Sequence, residues 1–151
     1  LVGPDDIIKT ECEVFAPCAL GAVINDQSLE QLRCKIVSGG ANNQLAETRH
    51  GVALKEMGIL YAPDFVANAG GLMNVFVELE GYSVDRALEK TTRIFDSMLE
   101  IFEIAKNENI PTNEAAVRLS RARIETMAGL KRKHLGKTSR LYTNLREVNL
   151  R

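Results

Sequence analysis

The sequence predicts an α/β fold, with a small parallel sheet in the first 70 residues and α-helices after it. Three observations carry this expectation. Short β-prone apolar runs occur at Cys12–Ala16, Lys35–Ser38 and Ile59–Ala62, and their starts lie 23 and 24 residues apart. That spacing leaves room for a crossover helix between parallel strands. Beyond Gly70 the strand-like runs stop and only helical spacing remains.

Each of the three runs is bounded by small or turn residues, and its length and apolar content suit a strand buried on both faces. Ser28–Arg33 is a short candidate helix in the first gap. Asn43–Met57 is the candidate in the second, with Leu45 and Val52 on its apolar side and Gly58 placed to take a left-handed capping conformation. Gly71–Glu80 reads as a helix closed by Gly81. Ser83 is a cap for the next helix, whose stripe runs through Val84, Ala87, Leu88, Thr91, Ile94, Phe95, Met98, Ile101, Phe102 and Ala105. Asn107-Glu108-Asn109 breaks that helix, and Pro111-Thr112 starts another that carries Val117, Ile124 and Ala128. Beyond Lys131 the periodicity fades into what is expected to be a fraying basic tail.

Composition narrows the class. A chain of 151 residues that is 45% hydrophobic and 26% charged is an ordinary globular sequence. No apolar run approaches the ~18 residues of a membrane span. Cys12, Cys18 and Cys34 are an odd number without a Cys-x-x-Cys pair, which fits a reducing, cytoplasmic setting. His50 and His134 have no metal-ligand spacing, so no metal site is expected. Residues 118–151 hold ten Lys/Arg against two Asp/Glu, whereas residues 1–117 hold nine against eighteen. We read the basic end as a solvated helix end or a segment lying on acidic parts of its own oligomer. Nucleic acid is disfavoured, because Tyr142 is the single interleaved aromatic.

In open parallel sheets ligands bind at the carboxyl ends of the strands. The three loops there read Ala16-Pro17-Cys18-Ala19-Leu20-Gly21, Gly39-Gly40-Ala41-Asn42-Asn43-Gln44 and Ala62-Pro63-Asp64-Phe65-Val66-Ala67-Asn68-Ala69-Gly70-Gly71. All are rich in small residues that let backbone approach a ligand, and asparagine offers both donor and acceptor. Singly, each reads as a tight β-to-α turn; three at one sheet edge read as a site. Two decoys fail. Gly136-Lys137-Thr138 lacks the glycine and the strand that a phosphate loop needs ahead of it. Cys18 has no histidine base nearby and reads as a small packed thiol.

Phe15-Ala-Pro-Cys-Ala-Leu-Gly, Gly40-Ala-Asn-Asn-Gln, Tyr61-Ala-Pro-Asp-Phe and Asn68-Ala-Gly-Gly resemble, in order and spacing, the successive motifs of the Glu/Leu/Phe/Val dehydrogenase family. The resemblance covers roughly residues 8–128 and is greatest to the leucine dehydrogenase branch. It implies NAD-dependent oxidative deamination of an L-amino acid to its 2-oxo acid. It also implies a partial Rossmann-like sheet: residues 1–82 as the second half of an NAD-binding domain, residues 83–130 as carboxyl-terminal helices and residues 131–151 as the basic tail. A homo-oligomer is implied as well.

By the same resemblance Ala19 and Leu20 lie along the cofactor near its ribose. Gly40, Ala41 and Asn42 meet the nicotinamide ribose and carboxamide, with Asn42 also near the substrate amino group. Asn68 sits beside the substrate. Leu72 and Val75, at i and i+3 of one helix, form an apolar wall of the substrate pocket. Glutamate-specific members have serine where Val75 stands, and burying a carboxylate against valine costs several kcal/mol, so apolar substrates are favoured. The residues taken without the resemblance leave Leu72 and Val75 equally open to being core.

The glycine fingerprint for the dinucleotide, the catalytic lysine segment and its acidic partner do not occur in the sequence. In the family they lie amino-terminal to the matching region. The chain is therefore expected to be part of a longer enzyme that includes a substrate domain, with no catalytic residue of its own and no activity alone. Leucine and other branched aliphatic amino acids are the expected substrates. The alternatives are a phenylalanine or valine dehydrogenase, or a non-catalytic nucleotide-binding or interaction module.

Overall fold

The three apolar runs form one parallel sheet, β1 (Cys12–Phe15), β2 (Cys34–Val37) and β3 (Leu60–Tyr61), in that order across the sheet. The computed structural model describes residues 2–3, 6–79 and 81–134. Its two units are Leu1–Val117, which holds the sheet, and Arg118–Arg151.

Register gives the sheet two unlike faces. Phe15, Val37 and Tyr61 lie in one cross-strand row, and Val14, Ile36 and Leu60 in another. The first row is at most 8% exposed and packs with Ile24, Leu32, Leu54 and Ile59 in the main core. In the second row Val14 is 48% and Leu60 40% exposed. The expectation of strands buried on both faces is corrected accordingly. Both crossover segments send their leucines, Leu32 and Leu54, to the same core, so neither covers the second row. Each fully buried aliphatic side chain on the covered face contributes about 1.5–3 kcal/mol.

The first crossover carries α1 (Asp26–Gln31). Asn25 caps it through Oδ1, which accepts from the Gln27 and Ser28 N–H groups, while Ser28 Oγ accepts from Asn25 N at 2.8 Å. Losing that capping box through Asn25→Ala is expected to cost about 1 kcal/mol, read as a lower urea midpoint with an unchanged m-value. An unchanged midpoint would show that the cap contributes nothing.

The second crossover carries α2 (Arg49–Glu56), shorter than the expected Asn43–Met57. Residues 43–48 run instead beside the loop after β1. Asn43 has φ +52°, and Leu45 makes a parallel bridge with Ile24. Gly58 takes the left-handed conformation (φ +72°) that closes α2, as the sequence suggests. Arg49 forks onto Asp26 at 2.7 and 2.6 Å, tying α2 to α1. The guanidinium holds the Asp26 carboxyl below the usual carboxylate range. Both groups are solvent-exposed, so this tie adds little stability.

After β3 the chain enters α3 (Asp64–Ala67), a turn of helix within what the sequence reads as a loop. It is followed by α4 (Gly70–Leu79), α5 (Val84–Asn107) and α6 (Thr112–His134). Glu80, the expected last residue of the fourth helix, lies outside the described residues. Ser83 caps α5. Within Leu1–Val117, α5 packs against α3 and α4: a side chain at Gly70 would touch Thr91 and Ile94. The α5 stripe divides, with Ala87, Ile101 and Ala105 buried but Val84, Leu88 and Phe95 exposed. α6 continues to His134, and residues 135–151 of the basic tail lie outside the described residues. Among the described residues no helix is long and apolar enough to cross a membrane.

Candidate functional site

Parallel pairing brings the carboxyl ends of β1, β2 and β3 to one edge, and backbone hydrogen bonds then join the loops that leave them. Ala41 N–H donates to Pro17 O at 2.9 Å, and Ala22 N–H to Asn43 O at 2.7 Å. Ile24 and Ala46 continue the pairing through Ile24 N–H to Gln44 O and Ala46 N–H to Ile24 O, both 2.9 Å. Gly39 lies so near the first loop that a Cβ there would stand 2.1 Å from Pro17 O. At Gly40 the nearest atom to such a Cβ is Cys18 Sγ, at 3.9 Å. The adjacent glycines therefore do different things: Gly39 lets two backbones touch, and Gly40 leaves room for a side chain in ordinary contact with the Cys18 sulfur.

The third loop joins through its asparagine. Asn68 Nδ2 donates to Asn42 Oδ1 at 2.5 Å and approaches Gly40 O at 3.5 Å. Gly40, Asn42, Phe65, Asn68, Ala69 and Leu72 line a cleft of about 480 Å³. None of the six is ionisable. The amide pair leaves the Asn42 N–H groups as donors and Asn68 Oδ1 as an acceptor at the mouth of the cleft.

Beneath the cleft the polar groups are buried. Asp64 is 7% exposed; its Oδ2 accepts from Gln44 N at 2.9 Å and its Oδ1 from Phe65 N at 2.8 Å. Gln44 is fully buried, and its Nε2 donates to Gly39 O at 2.7 Å and Ala41 O at 3.0 Å. Tyr61 Oη accepts from Asp64 N at 3.3 Å, and burial pushes the Tyr61 hydroxyl pKa well above its ordinary value.

The sequence-predicted residues fall as follows. Gly40, Asn42, Asn68 and Leu72 line the cleft together. Ala41 is buried, placing its backbone in the loop pairing. Ala19 and Leu20 are exposed on the neighbouring loop, with Leu20 at 81%. Val75 stands on α4 but does not line the cleft. Leu72 and Val75 are 75% and 55% exposed, which overturns their reading as core residues of this chain. Cys18 is exposed, with Sγ 3.4 Å from the Gly40 N–H that donates to it, rather than packed. Phe65 and Ala69 also line the cleft, where the sequence alone assigns them no role. The signal for Phe65 lay within the quoted Tyr61-Ala-Pro-Asp-Phe run, but only the α3 turn aims the residue at the cleft. Gln44 and Asp64 gave no signal of burial.

Residues 2–129 match the family model of Glutamate/Leucine/Phenylalanine/Valine dehydrogenase. The leucine dehydrogenase of Thermoactinomyces intermedius is 56% identical over 126 residues, covering 83% of this chain and 34% of that protein. The phenylalanine dehydrogenase of the same organism is 48% identical over 132 residues, covering 87% of this chain and 36% of that protein. Among solved structures, L-tryptophan dehydrogenase from Nostoc punctiforme superposes with a TM-score of 0.80 at 44% identity, covering 83% of this chain and 38% of that one. The chain thus spans about a third of the length of these relatives.

Proposed function

The chain belongs to the Glutamate/Leucine/Phenylalanine/Valine dehydrogenase family, and from that premise we propose that it forms one wall of an NAD-dependent L-amino-acid dehydrogenase. The substrates are leucine and other branched aliphatic amino acids. The observation that carries this reading is the cleft itself, which Gly40, the hydrogen-bonded Asn42 and Asn68 amides and Leu72 line together.

The residues fit the nicotinamide end of NAD. Gly40 presents backbone at the cleft, and the Asn42 N–H groups suit a carboxamide oxygen. Ala19 and Leu20 would follow the ribose along the adjoining loop. Bound NAD supplies the hydride acceptor. The chain's own residues orient the partners of that transfer. Asn68 Oδ1 would accept an N–H from the substrate amino group, Asn42 would serve both cofactor and amine, and Leu72 would receive the side chain, with Val75 a turn further along α4 extending the apolar wall beyond the cleft. Among the described residues the cleft lining has no ionisable group, so in this reading a residue from elsewhere in the enzyme takes the proton of the amino acid. The half-covered sheet supports the same division, because a parallel sheet ordinarily has both faces covered. In this reading residues 1–82 are the second half of the NAD-binding domain and residues 83–130 its following helices. The assembly is a cytoplasmic homo-oligomer, and the cytoplasmic setting rests on the three free thiols.

Full-length enzyme containing this chain should reduce NAD with leucine at a kcat/KM at least about 100-fold above that with glutamate, since a glutamate carboxylate would meet Leu72 without a cationic partner. The 151-residue chain alone should give no leucine-dependent NADH. Equal use of glutamate would reject the substrate assignment, and turnover by the pure chain would reject the division of the site. Phenylalanine is the second reading, favoured by Phe65 at the cleft, where a ring could stack. A phenylalanine kcat/KM above that of leucine would select it.

A further inference from the structure

We propose that Asp64 and Gln44 are positioning residues for hydride transfer, a buried brace that fixes the distance between the cofactor loop and the substrate asparagine. The proposal rests on the dehydrogenase reading above. Its geometry is independent of that reading.

The two loops that make the cleft come from different strands and meet at their surface through one side-chain pair, Asn42 and Asn68. Exposed amides in contact do not hold a loop by themselves, because water competes for every hydrogen bond. The restraint lies one layer down. Asp64 gives one carboxyl oxygen to each side: Oδ2 takes Gln44 N–H on the second loop, and Oδ1 takes Phe65 N–H at the start of α3. The Asp64 carbonyl then accepts Asn68 N–H at 2.9 Å, so the residue that grips the second loop also sets the backbone of Asn68.

Gln44 completes the restraint from the other side. Its amide donates to the carbonyls of Gly39 and Ala41, the two residues flanking Gly40. That fixes the curvature of the stretch that presents Gly40 and Asn42. Gln44 Oε1 has no partner among the described residues, so the hold of this side chain on the loop runs through Nε2. The angle and separation of the reacting groups are the quantities to which hydride transfer is most sensitive, and a misplacement of about 1 Å can cost on the order of 100-fold.

The test is made on the full-length enzyme with Asp64→Asn, which presents an N–H group where one of the two backbone donors needs an acceptor. Gln44→Met, which keeps the volume and removes both loop hydrogen bonds, is the second variant should the first fail to fold. For each, leucine kcat and KM are measured at saturating NAD, with the primary isotope effect from leucine deuterated at Cα and the melting temperature. The expected result is a kcat reduced about 10- to 100-fold in folded protein. Leucine KM should change by less than about threefold, and the isotope effect should rise as the hydride step becomes limiting. Wild-type kcat and isotope effect in a variant that has only lost melting temperature would make the brace structural and overturn the proposal. A wild-type enzyme without amino-acid-dependent NAD reduction would overturn the dehydrogenase reading instead, and the two failures are distinguished by that control.

Discussion

Gly39→Ala is expected to lower unfolding stability by about 3 kcal/mol or more and to reduce leucine kcat/KM of the full-length enzyme by at least about 100-fold. The methyl group would lie 2.1 Å from Pro17 O, 2.5 Å from Pro17 N and 2.7 Å from Pro17 C. All three atoms are backbone, so no side chain can swing aside, and the loops after β1 and β2 must separate. Overpacking of this kind costs about 1–3 kcal/mol by itself. Separation also stretches the Ala41-to-Pro17 hydrogen bond and pulls Gly39 O from Gln44, and unsatisfied buried groups add about 1–3 kcal/mol each. Activity falls with the fold here, because the displaced stretch is the one that carries Gly40 and Asn42. Gly40→Ala is the control. Its Cβ has only the Cys18 sulfur nearby, at 3.9 Å, so stability should stay within about 0.5 kcal/mol while cofactor binding weakens. Urea melts of the two variants beside wild type decide it. If both melt like wild type, the close backbone approach at Gly39 does not exist.

That pair of glycines shows what the sequence could convey. Three small-residue loops at one sheet edge are visible as composition, and the strand runs that position them are visible as short apolar blocks. Which glycine faces the partner loop and which faces the cleft depends on tertiary geometry, and no local pattern encodes it. The same holds for residues 43–48. Leu45 fits a helical stripe with Val52, yet the chain uses it to bridge Ile24, and the left-handed Asn43 ends the loop stretch before any helix begins. α2 starts at Arg49 with no side-chain cap from Thr48, and the Glu47 N–H just ahead of it donates to His50 Nδ1 inside the helix, a contact that sequence rules do not anticipate. Asp64 and Gln44 were opaque for a further reason. Polar residues are ordinarily assigned to the surface, and it takes the tertiary convergence of the Gly39, Ala41, Gln44 and Phe65 backbones to supply hydrogen bonds to Gln44 Nε2 and the Asp64 carboxylate in the interior. Gly40, Asn42, Asn68 and Leu72 were legible through the motif resemblance, and the cleft brings those four together.

Leu72→Asp is expected to reduce leucine kcat/KM of the full-length enzyme by at least about 100-fold while leaving its melting temperature almost unchanged. On α4, Leu72, Val75, Phe76 and Leu79 fall at i, i+3, i+4 and i+7, and all four are exposed, whereas Val77 on the inner side is fully buried. The helix therefore holds to its own unit by Val77 and turns an apolar stripe outward, with Leu72 at the cleft end. A side chain 75% exposed contributes little to folding. Aspartate in the first turn of α4 is favoured by the helix dipole by about 0.3–1 kcal/mol, which offsets part of any loss. In the substrate complex the balance reverses. A carboxylate pressed against an isobutyl group without a cation costs several kcal/mol, and each 1.4 kcal/mol is tenfold in rate. Val75→Ser should do less, about one order of magnitude, because Val75 stands a turn further along and outside the cleft. Steady-state kinetics with leucine, set beside thermal melts of both variants, separate the two accounts. Full leucine activity in Leu72→Asp would remove Leu72 from the substrate wall, and a large loss of melting temperature would return it to the core. Activity lost from a protein that melts like wild type is the outcome that only a substrate-facing side chain produces.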